Sequence, residues 1–187
     1  MARAVIRARL TSSAMPDVSV LMNDPSLSQR AGCFASLHEL NTHRLRGCVG
    51  QLEARDPIPH AVSRAASAVL EDPRFQYEPV TLAELSRLEI ELSLLSPLVD
   101  VDDPLQFDPE NEGIYLTIDE AGGCFLPQVA RETGWSRQQL LERLCTEKLA
   151  LGRDAWKHPS ARLSTFRTVI IGPEPFASSE PIRATSL

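Results

Sequence analysis

The sequence has no Cys-x-x-Cys pair. Its four cysteines, Cys33, Cys48, Cys124 and Cys145, are far apart and irregularly spaced. That spacing argues against a zinc knuckle or any metal site built by this chain alone, and reduced thiols of a cytoplasmic protein are the simplest reading. No apolar run approaches the ~20 residues of a membrane span. Aromatic residues make up only 5% of the chain, too few for the interleaved stacking surface of an RNA binder. From Leu88 to Ala130 there is no Lys or Arg, while ten carboxylates occur. A surface of that sign repels phosphate, so nucleic acid is disfavoured as a partner. RNA binding survives only as the weakest alternative, drawing on the first 55 residues, where seven Lys/Arg face four Asp/Glu. Acidic residues are also missing from Met1 to Met15, which carries Arg3, Arg7 and Arg9. This superficially resembles a transit peptide, but the helical spacing of Val5, Ile6, Arg9 and Leu10 predicts an ordinary first helix.

What the chain does contain centres on Leu45-Arg46-Gly47-Cys48-Val49-Gly50. A thiol sits between two glycines, and neither glycine has a Cβ to keep another group at a distance. Arg46 supplies a permanent cation nearby, which would raise the thiolate fraction or hold an anionic substrate. The plainer reading makes Cys48 a small buried hydrophobe and the glycines a hairpin bend.

With 187 residues the chain fits one domain, or two intimate lobes, and buries roughly 70% of its unfolded surface without disulfides. Gly32 to Leu40 alternates as a strand, Asn41-Thr42-His43 forms a hairpin loop, and Arg44 to Leu52 returns with the thiol. Asp56 then caps a helix opened by Pro57, with small residues Ala61, Ala65 and Ala66 on its apolar stripe. Pro73 stops that helix. Thr81 and Glu84 fit a capping box, as do Ser136 and Gln139. Leu88 to Ser96 and Gly113 to Asp119 read as strands, and Pro127 puts Cys124 to Val129 on a strand end or edge. Arg162 to Ile171 reads as one closing strand, and the tail from residue 172 to 187 as poorly ordered. Strand, Gly-Cys strand and helix occur once through Gly47-Cys48 and again through Gly123-Cys124. Two related halves sharing one sheet would explain the echo.

The hexapeptide, Glu71-Asp72-Pro73-Arg74-Phe75, Ile90-Glu91-Leu92-Ser93, Phe125-Leu126-Pro127-Gln128-Val129, and Leu144-Cys145 with Lys148 and Trp156 follow in register the order of the AMMECR family. Its microbial members are called protein A of the AmmeMemoRadiSam set. The resemblance covers about residues 2–171 and implies an α+β fold, a mixed and largely antiparallel sheet with flanking helices, in two lobes around a cleft lined by the signature residues. It also implies two partners, a Memo-type protein similar to ring-opening dioxygenases and a radical SAM protein, and it brings no settled reaction or cofactor. The chain departs from the family pattern at Leu149-Ala150-Leu151, where Ala-Gly-Leu is usual, and at Ser164-Thr165, where an aromatic residue is usual.

Two functions follow. In the first, the chain binds a small ligand, an anionic one for instance, or a partner, through Arg46, Gly47, Cys48, Gly50, Asp72, Arg74, Gln128 and Lys148. In the second, it is a cysteine-dependent enzyme with Cys48 as nucleophile, Arg46 as its companion cation, and Glu91 or Asp72 as proton acceptor or orienting group. No histidine falls inside the shared motifs; His38, His43, His60 and His158 lie at loop and surface positions.

Overall fold

A computed structural model describes residues 1–177 of the chain. These divide into two units, Met1–Leu95 together with the segment from Val169, and Ser96–Thr168.

The first unit is built on a four-stranded antiparallel sheet in the order β2-β1-β3-β8. Its strands are β1 (Arg30–Glu39), β2 (Leu45–Pro57), β3 (Leu88–Leu95) and β8 (Thr168–Pro175), with helices α1 (Ala2–Thr11) and α2 (Ile58–Ala68). Strand alternation decides which face the helices cover. Cys33, Ala35 and Leu37 of β1 and Ile90 and Leu92 of β3 pack in one core with Val5 and Ile6 of α1 and with Ala61, Val62, Ala65 and Ala66 of α2. The alanines let α2 lie close to the sheet. Cys33 is sealed there, and burial pushes its thiol up to about 12, so it is inert packing.

The second unit has its own antiparallel sheet, β4-β7-β5-β6, made of β4 (Val99–Val101), β5 (Gly113–Ile118), β6 (Ala121–Phe125) and β7 (Ala161–Phe166). Helices α3 (Pro127–Thr133) and α4 (Arg137–Arg143) follow β6. Leu140, Leu141, Leu144 and Cys145 join Ile114, Leu116, Phe125 and Trp156 in its core. The last turn of α4 widens over Leu144–Lys148 into π-helical geometry. Among the described residues no helix is long and apolar enough to cross a membrane.

Several local expectations hold. The Asn41–His43 loop forms, with positive φ at Asn41 and His43. Both arms of the Ser136/Gln139 capping box are present.

Others need correction. The strands form two sheets rather than one, because the Arg162–Ile171 run breaks at Arg167 and sends β7 and β8 into different sheets. Helix α2 starts one residue later than Pro57, which is its N-cap, and Asp56 still pairs with Ala31 in the sheet. Thr81 makes no side-chain cap because the segment winds as a 3-10 turn, Leu82–Arg87, so only the Glu84 half of the box remains, its carboxylate accepting from the Thr81 N–H as well as from Arg46. Cys124 and Phe125 do end an edge strand, β6, but the run does not continue as strand to Val129: Pro127 opens α3 at its first position, where its missing N–H costs nothing. Residues 172–175 belong to β8 and Phe176 is buried against the first core, contrary to a disordered tail there; residues 178–187 lie outside the described residues.

Candidate functional site

Each residue of the glycine-cysteine hexapeptide has a separate assignment. In the β1–β2 pairing Leu37 faces Gly47 while His38 faces Leu45, so Arg46 is the extra residue of a β-bulge. A bulge re-aims a side chain out of simple alternation. Arg46 Nε donates to Glu84 Oε1 at 2.6 Å and Nη2 to Oε2 at 3.1 Å, and Nη2 also donates to the Glu78 carbonyl at 3.0 Å. Its guanidinium carbon lies 5.4 Å from the Phe75 ring centre. Only 5% exposed, Arg46 holds the 3-10 turn through Nε and Nη2, while its Nη1 is buried with no hydrogen-bond partner. Its hydrogen bonds go to residues 78 and 84, not to the thiol. The proposed thiolate companion is reassigned for that reason.

The two glycines answer to packing. A Cβ on Gly47 would stand 2.8 Å from the Val69 carbonyl oxygen, and one on Gly50 would stand 2.1 Å from the Cys33 carbonyl oxygen and 2.7 Å from the Phe34 ring. Phe34 lies across Gly50 because no side chain stands in its way.

Asp72 and Arg74 act on the backbone of Cys48. Strand β2 is the edge of its sheet, and in an antiparallel pair alternate residues turn both backbone groups away from the partner strand. At Cys48 those groups are satisfied by side chains. Its N–H donates to Asp72 Oδ2 at 2.8 Å, and its carbonyl accepts from Arg74 Nη2 at 3.1 Å. Asp72, with a side chain only 3% exposed, also accepts from the Arg74 backbone N–H and Nε, both at 3.0 Å, and from Nη2 at 2.7 Å. The Arg74 guanidinium holds the Asp72 carboxyl far below the usual carboxylate range, helped by the Cys48 and Arg74 amides and opposed by burial. A carboxylate so fully used is a poor general base. Arg74 is 57% exposed and keeps part of its guanidinium accessible.

The thiol itself lies on the sheet face opposite α2, half-buried. Its hydrogen-bond partner is the Ser36 hydroxyl, which donates to Sγ at 3.2 Å. Register extends this contact into a row: Cys48 faces Ser36 on β1, and Ser36 faces Glu91 on β3. Neighbouring rows on the same face hold Gly50, Phe34 and Ser93 on one side and His38 and Glu89 on the other. Burial raises the Glu91 carboxyl, partly offset by His38 and reinforced by Glu89. Glu89 is itself buried and meets His43 Nδ1 at 2.9 Å. A thiol, a hydroxyl, a protonatable acid, an imidazole and an aromatic ring thus share one strip of sheet.

Ser36 and His38 are the residues that sequence reasoning missed. Their even positions on an alternating strand carried the signal, but only the pairing register places them beside Cys48. Gln128 and Lys148 belong to the second unit. Gln128 lies on α3, and its Oε1 is buried with no hydrogen-bond partner. Lys148 ends the π-helical turn, its stem against Gly123 and its ammonium 5.7 Å from the Phe125 ring. Burial raises the Cys124 thiol, and the Lys148 charge opposes that shift. Among the described residues no group of three His, Cys, Asp or Glu side chains is placed to hold a metal ion.

A family model described as AMMECR1 matches residues 1–171. The chain belongs to the AMMECR1 family. Among similar AMMECR1-type proteins, Protein Ta0236 of Thermoplasma acidophilum is 31% identical over 178 residues, covering 92% of this chain and 84% of its own. Protein MJ0810 of Methanocaldococcus jannaschii is 33% identical over 177 residues, with 90% and 85% covered. The crystal structure of uncharacterized protein PH0010 from Pyrococcus horikoshii superposes with a TM-score of 0.81 at 28% identity, covering 100% of this chain and 93% of that one. The α+β fold is shared with this neighbour.

Proposed function

We propose that this AMMECR1-family chain is a binding component: it holds a small ligand on the Cys48–Ser36–Glu91 strip and works alongside Memo-type and radical SAM partners. The observation that carries the reading is a process of elimination within the hexapeptide. Arg46, Gly47 and Gly50 are used by packing and by an ion pair, which leaves the Cys48 thiol as the side chain free to meet a ligand. Its hydrogen-bond contact is a hydroxyl, not a base, and the Asp72 carboxylate and the Nε and Nη2 groups of Arg46 are engaged elsewhere. Arg74, beside the Cys48 carbonyl, suits an anionic group.

The test uses the full chain. Iodoacetamide at neutral pH should label Cys48 no faster than an unfolded-peptide control, and Cys48→Ser should bind a purified Memo-type protein as the parent does in sedimentation velocity. Faster labelling together with loss of binding in a folded Cys48→Ser variant would overturn the reading.

One observation favours the enzyme alternative. Glu91, kept protonatable by burial, stands across Ser36 from the thiol, two strand spacings or roughly 10 Å away, so a substrate lying between them would meet a nucleophile and an acid. That reading requires Glu91→Gln to abolish turnover while Cys48 labelling stays rapid.

A further inference from the structure

We propose a second ligand site in the first unit, on the opposite side of the sheet from Cys48 and independent of it: a pocket for the hydrocarbon chain of an anionic amphiphile, of the fatty-acid class.

The pocket is a cavity of about 270 Å³ whose floor is Ile90, Leu92 and Leu94 of β3, with Val62 of α2 in its wall. Close-packed interiors leave few voids larger than one water. A dry apolar cavity of ~150 Å³ already takes benzene, so this one accommodates a body of about ten carbon atoms. The charged residues lining it are Arg3 and Glu174, paired at 3.3 Å and both partly exposed.

Two further features point to an occupant. The 3-10 turn Ser19–Asn23 contains Val20, Leu21 and Met22 in succession, yet it buries none of its residues. Val20 is 67% exposed, while Leu21 and Leu27 overhang the pocket. An apolar turn that leaves Val20 and Leu21 exposed and only Met22 half-buried matches one that closes over a ligand chain. The electrostatics favour a negative head. Helices α1 and α2 both begin at the pocket, where Ala2 and Ile58 line it, and neither N-terminus has a side-chain cap. Their positive ends add to Arg3 and to Arg7, one turn further along α1, which binds the Phe176 carbonyl at 2.9 Å. These charges outweigh the single carboxylate of Glu174 at the mouth.

The experiment titrates decanoate and, in parallel, decanol into the full chain. Calorimetry measures affinity, and methyl NMR shifts locate the ligand. The expected result is saturable one-to-one decanoate binding below about 1 mM, with shifts concentrated at Leu21, Val62, Leu92 and Leu94. Arg3→Gln should weaken decanoate about tenfold, the scale of one charge-assisted hydrogen bond, and leave decanol unchanged. Leu94→Phe, which fills the floor, should abolish both. Unsaturable binding, shifts scattered over both units, or decanol binding as tightly as decanoate overturns the proposal. Because the shift map is measured on the parent protein, it decides the matter even where a variant fails to fold.

Discussion

Substituting Asp72 by Asn changes one charge and one acceptor at constant volume, and so isolates how the β2 edge is held. The parent carboxylate accepts four hydrogen bonds, one from Cys48 and three from Arg74. The amide keeps one acceptor oxygen. If that oxygen takes the Oδ2 place, the new NH₂ group opposes the Arg74 N–H and Nε; if it is flipped, the NH₂ opposes the Cys48 N–H and Arg74 Nη2. Either way one backbone donor and one guanidinium donor lose their acceptor, and the backbone one loses a charge-assisted bond worth about 1.5–3 kcal/mol. The ion pair with the exposed Arg74 guanidinium adds less than about 1 kcal/mol after solvent screening. The expected destabilisation is about 2–3 kcal/mol, read as a fall in urea midpoint at unchanged m-value. It should be accompanied by faster hydrogen exchange at the Cys48 amide. The pH dependence has a defined sign. The folded carboxyl titrates below its unfolded value, so its stabilisation is complete above about pH 5 and is lost as pH falls through the folded value. The difference between parent and variant should therefore be flat from about pH 5 to 8 and shrink in acid. A midpoint change worth under about 0.5 kcal/mol, with Cys48 protection unchanged, would refute the idea that this carboxylate seals the edge.

Three other outcomes follow. Glu84→Gln leaves the Arg46 guanidinium buried and half-paired and should cost about 2–3 kcal/mol in urea unfolding, with most of it recovered when Arg46→Met is combined with Glu84→Leu. Glu91 is raised by burial, so the folded state binds its proton more tightly and stability falls as pH rises through that range; Glu91→Gln should stabilise at pH 7 and be neutral near pH 4, as thermal unfolding at the two pH values will show. Ala150 sits at φ 54, the left-handed region, where a glycine carries no Cβ strain; Ala150→Gly should raise stability by about 0.5–1 kcal/mol in the same assay.

What could be read from the sequence was local. Alternation located β1, β3 and β5, and the Ser136/Gln139 box fixed the start of α4, because those signals involve neighbours in the chain. The partner of Arg46 was not legible. Glu84 lies 38 positions away, its spacing after Thr81 imitates a cap, and the bulge that aims Arg46 at it depends on strand pairing. The same holds for the candidate site. Cys48 was conspicuous between its glycines, but the Cys48–Ser36–Glu91 row exists only through the register of three strands. Asp72 and Arg74 were singled out as ligand groups; the register adds that Asp72 and one arm of Arg74 also hold the Cys48 backbone, while the rest of the Arg74 guanidinium stays exposed. The run Leu149-Ala150-Leu151 gave no sign that Ala150 takes up the left-handed conformation that a glycine adopts without strain.

The chain leaves the first sheet after β3 and comes back to it only with β8. At that junction Ser96 N–H donates to the Arg167 carbonyl at 2.9 Å, and the Arg167 N–H donates to the Ser96 hydroxyl at 3.0 Å, so the inserted segment starts and finishes at one spot. On a ribosome, the insert has all four of its own strands as soon as Phe166 emerges, while the sheet that bears the thiol is still short of its final strand. A strand translated after the insert thus finishes the scaffold that was begun before it, and a nascent chain halted between those points would display a complete guest in an unfinished host.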